Sequence, residues 1–121
     1  MEITNERLIF IVFWIVLMLI YLLGDVLRIF AGDFVGGEID GTPVSQSMWF
    51  MVAVIMLIPI LMVVLNMLVP VPVMKWINIS VAIGFFLFNL AGIAGYKPYD
   101  QFLLGVSFIV NFLIVYYAWM L

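Results

Sequence analysis

Asp25 and Arg28 stand three residues apart in "YLLGDVLRIF", residues 21–30, near the end of a long apolar run. An acid and a base at that spacing share one face of a helix. Inside a membrane span, an ionisable group is by default a candidate for function. Two chemistries suit the pair. Asp25 is either a titratable carboxylate facing a cavity, or a register device that is neutralised by Arg28 or protonated and bonded to an asparagine. Arg28 lies close enough to the boundary to snorkel out.

Polar residues elsewhere in the apolar runs are sparse, and their spacing marks the face each run buries. A 3-and-4 spacing links Trp14, Met18, Tyr21, Asp25 and Arg28 in the first run, and Ile55, Pro59, Met62 and Asn66 in the second. The third has Asn78, Ala82, Phe85, Asn89 and Gly92; the fourth has Leu104, Ser107, Asn111, Ile114 and Ala118. A period near 3.5 residues predicts left-handed packing. With a rise of about 1.5 Å per residue, Asp25 lies roughly 9 Å from the middle of its run. Asn89 and Ser107 are displaced the same way and Asn111 is near the midplane. Tyr21, Asp25, Arg28, Asn89, Ser107 and Asn111 are therefore the candidate ligand- or ion-binding group. Asn66 and Asn78 fall at the other end, beside Lys75 and Trp76, and are expected to be interfacial. Interhelical hydrogen bonds alone would account for all the asparagines.

Fainter signals carry less. Pro59 lacks an amide hydrogen and frees the carbonyl of Ile55, which predicts a kink in the second run. Asp33, Glu38 and Asp40 lack the spacing and terminal Glu of an EF-hand and read as a solvated loop. Ser80 with Gly84, and Ala91 with Gly95, have small-xxx-small spacing. Trp49, Trp76, Tyr96, Tyr99, Tyr116, Tyr117 and Trp119 fit aromatic belts, and no cofactor is expected from them.

Absent residue types exclude several activities. The chain has no Cys, hence no disulfide, thiol redox centre or thiolate metal site. It has no His, hence no imidazole haem ligand, no usual zinc set and no ordinary general base near neutral pH. Nothing present makes up a nucleophile and base pair, so catalysis would have to rest on a carboxylate and a tyrosine, Asp25 and Tyr21, or on groups from a partner, and the reading favours a noncatalytic chain. Four basic residues and a net charge of −3 give no footprint for nucleic acid.

The elements that position these residues follow from composition. Of 121 residues, 69% are hydrophobic and 9% charged, against roughly half and a quarter in soluble domains, and the mean hydropathy is +1.38. This predicts one all-α domain, an integral membrane, left-handed, antiparallel four-transmembrane-helix bundle with helices at about 7–30, 43–69, 75–95 and 100–121. Thr4 or Asn5 should cap the first helix, which is too long for a secretory signal and has an n-region with Glu2 and Glu6 against Arg7. Thr42 and Pro43 read as N-cap and first position of the second helix. "VPVPVMK", residues 69–75, reads as a reversal that makes the second and third helices antiparallel neighbours, and "GYKPYDQ", residues 95–101, as another. Arg7 and Lys75 on one side balance Arg28 and Lys97 on the other; the 31–46 loop has no Lys or Arg, which tips the termini to the cytoplasmic side.

"YLLGDVL" at 21–27, "IPILMVVL" at 58–65, "KWINI" at 75–79 and "YYAW" at 116–119 resemble, in order and spacing, an uncharacterised bacterial and archaeal family of small four-helix integral membrane proteins. The resemblance covers nearly the whole chain. It implies a four-span fold with an acid at Asp25 and implies no activity. One departure is Leu57, where family members often carry an acid before the Ile-Pro. The pattern of small multidrug transporters, with their acid nearer mid-span, is not present. Sterol isomerases need a His, and claudin-like proteins a Cys pair.

The resulting expectation is a noncatalytic cell-membrane protein, in contact with membrane lipids, acting as a homo-oligomer or accessory subunit of a larger membrane complex, with an Asp25-centred polar network. The alternative is a small transporter or lipid-like ligand binder in which Asp25 titrates.

Overall fold

A computed structural model describes residues 4–39 and 41–121. Helix α1, Asn5–Phe30, is capped by Thr4, whose Oγ1 accepts the Arg7 N–H at 3.4 Å. It stops at Gly32, whose φ of 77° is left-handed. The Asp33 N–H then reaches back to the Arg28 carbonyl at 3.0 Å, a Schellman closure that aims Asp33 at the end of the bundle.

Between α1 and the next helix lies a small hairpin of strands β1, Glu38–Ile39, and β2, Thr42–Pro43, with Glu38 opposite Pro43. Thr42 and Pro43 therefore do not open a helix, as their spacing suggested. A proline is tolerated in a short edge strand, and Ser45 supplies the cap instead, its Oγ accepting the Met48 N–H at 3.3 Å. Helix α2 runs Gln46–Leu68 with Pro59 buried inside it.

Only Val69 and Pro70 separate α2 from α3, Val71–Gly92. The expected start at 75 is overturned because Pro72 sits in the first turn, where no intrahelical N–H is needed. A 3-10 turn, Ile93–Gly95, leads to α4, Pro98–Trp119, which again opens on a proline. Apart from the hairpin the architecture is all-α, and all four helices are long and apolar enough to cross a membrane.

Backbone contact is extensive between α1 and α2, α3 and α4, and α1 and α4. It is scant between α2 and α3, which the short reversal suggested as close neighbours. They are antiparallel, but bulky groups fill the interior: Trp14, Met62 and Met74 are essentially fully buried, and Trp14 reaches across from α1 to Asn78 of α3.

Three inward stripes match the spacing. Pro59, Met62 and Asn66 on α2, Asn78, Ala82 and Phe85 on α3, and Leu104, Ser107, Asn111, Ile114 and Ala118 on α4 are buried, while Ile55 and Asn89 are half-buried and Gly92, at the end of its stripe, is exposed. On α1 the buried residues are Phe10, Ile11, Trp14, Leu17 and Gly24, while Met18 is half-buried and Asp25 exposed, so the face turns away from Asp25 toward Gly24 at this end. The small-residue pairs do not pack helices: Ser80, Gly84, Ala91 and Gly95 are exposed, and a Cβ at Gly84 would meet nothing within 4 Å.

Candidate functional site

Extending the inward row of α1 past Gly24 reaches Arg28, and extending that of α4 back past Leu104 reaches Asp100. The two rows meet there. Arg28 Nε donates to Asp100 Oδ2 at 2.7 Å, and Arg28 Nη1 donates to Asp25 Oδ1 at 2.7 Å. Asp100 is 3% exposed, whereas the Asp25 side chain is 56% exposed. The buried acid at this end is therefore Asp100, which the sequence reading left in a reversal. The pair packs against the α1 backbone at Gly24, where a Cβ would be in ordinary contact, 3.5 Å from Asp100 Oδ1 and 3.6 Å from Arg28 Nη2. The Arg28 guanidinium also stands 5.6 Å from the Tyr96 ring centroid.

Outside this cluster, the Tyr99 hydroxyl donates to Asp33 Oδ2 at 2.6 Å, and Lys97 Nζ lies 3.6 Å from Asp33 Oδ1. The Tyr99 bond, helped by the Lys97 charge, holds the Asp33 carboxyl below the usual carboxylate range. Asp33 thus ties the α1–α2 connection to the start of α4. Among the described residues no three His, Cys, Asp or Glu side chains gather to hold a metal; Asp40 lies outside the described residues.

Deeper in, Asn89 Nδ2 donates to the Tyr21 hydroxyl at 3.2 Å and to the Phe85 carbonyl at 3.0 Å. Ser107 Oγ donates to the Leu104 carbonyl at 2.6 Å. Ser107 and Asn111 both face the Tyr21 hydroxyl, yet the Asn111 carboxamide, in a residue 2% exposed, reaches hydrogen-bond geometry with nothing. Of the six candidate residues, the structure brings Tyr21, Asn89, Ser107 and Asn111 together. Asp25 and Arg28 lie apart from them, because Asp25 falls off the inward face and Arg28 is drawn to Asp100.

The opposite end holds a network that spacing did not reveal. Asn78 Nδ2 donates to Asn66 Oδ1 at 2.7 Å, and Asn66 Nδ2 returns a bond to Asn78 Oδ1 at 3.2 Å. Trp14 Nε1 donates to the same Asn78 oxygen at 2.7 Å. Each amide nitrogen also donates within its own helix, to the Met62 and Met74 carbonyls. Both asparagines are 0% exposed, packed inside the bundle at the end that also carries Lys75 and Trp76. Each sits on its helix's inward stripe, and the two-residue turn brings those stripes face to face. Arg7 Nη1 closes this end by donating to the Asn66 carbonyl at 3.1 Å. Lys75 rests over the Trp76 and Trp119 rings, at 5.4 and 5.0 Å.

Chemically, these groups join helices. Arg28 and Asp100 are committed to each other, and the amides are committed to Trp14 and to one another. Comparison with protein-family models, curated proteins and solved structures finds no match to this chain.

Proposed function

We propose that the chain is a noncatalytic multi-pass protein of the cell membrane, a left-handed bundle acting as a homo-oligomer or accessory subunit, with its termini on the cytoplasmic side. The observation that carries this reading is the commitment of its polar interior: Arg28 and Asp100 pair between α1 and α4, and Asn66, Asn78 and Trp14 pair among α2, α3 and α1. The network at the hairpin end centres on Asp100 rather than on Asp25. Membership of the small four-helix membrane family rests on the four quoted motifs. Association is supported by α2, which has no buried residue before Pro59 and leaves Phe50, Met51 and Val54 exposed. That stretch suits lipid or a second helix.

Membrane fractionation with alkaline extraction, followed by cross-linking and native mass spectrometry in nanodiscs, tests the reading. The chain should stay in the pellet and give a defined oligomer, alone or with a co-purifying subunit. Asp25→Asn should assemble as the parent does. If that variant assembled normally yet abolished a measured flux, the structural reading would be lost.

A further inference from the structure

At the end of the bundle that holds the chain termini, Lys75 of α3 is half-buried beside two indoles. Its Nζ stands 5.4 Å from the ring centroid of Trp76 and 5.0 Å from that of Trp119 on α4, so the cation bridges the seam between the two helices. Ring faces attract the charge but offer no oxygen to its three N–H groups. Among the described residues, Arg28 and Lys97 at the hairpin end each pair with a carboxylate, whereas Lys75 pairs with none. Glu6, the one described acidic side chain at this end, is exposed on the first turn of α1. Trp76 and Trp119 are 56% and 66% exposed, which puts this cradle on the outside of the bundle.

The same seam continues into the span. Lys75, Ile79 and Ile83 follow one another at a spacing of four along α3, and Trp119, Val115 and Phe112 run back along α4 at spacings of four and three. Ile83, Val115 and Phe112 line an apolar groove between the helices. The groove alone names no occupant; the unpaired cation at its end does. We propose that this seam binds one anionic phospholipid, its phosphate on Lys75 and the indole N–H groups of Trp76 and Trp119, and an acyl chain along the groove. A phosphodiester brings the counter-charge that Lys75 lacks and oxygens that accept from the ammonium and the indoles. Tryptophan and lysine at the end of a span lie at the depth of lipid headgroups. Lys75 to Ile83 is about 12 Å of helix, within the roughly 15 Å that one leaflet contributes to the hydrocarbon, so a single lipid reaches both. The hairpin end is unsuited, because Asp25, Asp33 and Asp100 already neutralise its cations.

The proposal rests on the membrane reading above, and the test separates the two. A chain that alkali extracts from membranes defeats the membrane reading before any lipid is added. The full chain, purified in a neutral detergent, is titrated with phosphatidylglycerol or phosphatidylcholine, and each bound lipid is resolved by native mass spectrometry. The first phosphatidylglycerol should bind about fivefold tighter than the first phosphatidylcholine, the factor expected of one basic residue facing an anionic lipid. Lys75→Gln should bring the ratio close to one and Lys75→Arg should keep it. Lys97→Gln, at the other end, should leave it unchanged, with helix content by circular dichroism the same in all variants. Equal binding of the two lipids by a membrane-retained chain, a preference that survives Lys75→Gln, or a preference lost equally in Lys97→Gln would each overturn the proposal.

Discussion

The two ends of the bundle solve the same problem with different chemistry. At the end that holds the chain termini, the fully buried polar side chains are neutral and reciprocal, two amides and an indole, with Arg7 closing over them from the edge. At the hairpin end they are ionic and half-open, with a buried Asp100, a partly exposed Arg28 and an outward Asp25. Neutral amides carry no charge into the low-dielectric interior, so they can sit deep at small cost once every donor has a partner. A charge is tolerable only near water or beside its counter-charge. The position of each cluster is therefore matched to its chemistry.

That contrast makes the amide end the more fragile. Asn78→Leu strands the Trp14 N–H and the Asn66 Oδ1, and should destabilise the bundle by about 2–4 kcal/mol, read as reversible unfolding in mixed micelles. Adding Asn66→Leu should restore part of the loss; a double variant no better than the sum of the singles would remove the idea of one coupled network. Asp100→Ala comes next, at about 1–2 kcal/mol, discounted because Arg28 keeps Asp25 and some solvent. A loss larger than that of Asn78→Leu would reverse the ranking of the two ends.

Asp25→Asn should cost under about 1 kcal/mol in the same assay, as an exposed pair one turn apart does. The smallest effect is that of pH on the hairpin clamp. The folded Asp33 carboxyl titrates below its unfolded value, so the clamp contributes fully above about pH 3.9 and is lost as pH falls through the lowered folded value. Amide exchange of residues 34–39 should stay constant from pH 7 to about 4, once intrinsic rates are divided out, and rise only below that. Release nearer neutrality would show that Asp33 is not held by Tyr99.

Much of this was legible before the coordinates. Three of four inward stripes follow from period alone, since α2 to α4 carry their asparagines and Ser107 at the packing spacing. On α1 the rule that polar residues face inward misled, because near the end of a span an acid can turn to water while a glycine takes the buried place. Asp100 had a readable signal: it lies four residues before Leu104 on the same stripe, and Pro98 at the first helical position puts it in the first turn, where acids are favoured. The Asn66–Asn78 pairing had a partial one, since both lie on predicted inward stripes at the same end of helices joined by a short reversal, but the choice of partner was not readable. It depends on how sharply the chain reverses at Val69 and Pro70, and that sharpness follows from tertiary packing rather than from any local pattern.

The two partners of Arg28 also differ in when the growing chain can supply them. Asp25 is three residues upstream and is made before Arg28, whereas Asp100 is separated from it by 72 residues. A nascent chain that has finished α1 but not α4 has an arginine at the edge of an apolar helix and, one turn back on that helix, the acid that pairs with it. Asp25 can thus chaperone the charge through synthesis and keep a secondary hold on it once Asp100 arrives, which gives an outward-facing acid a use that the finished fold alone does not display.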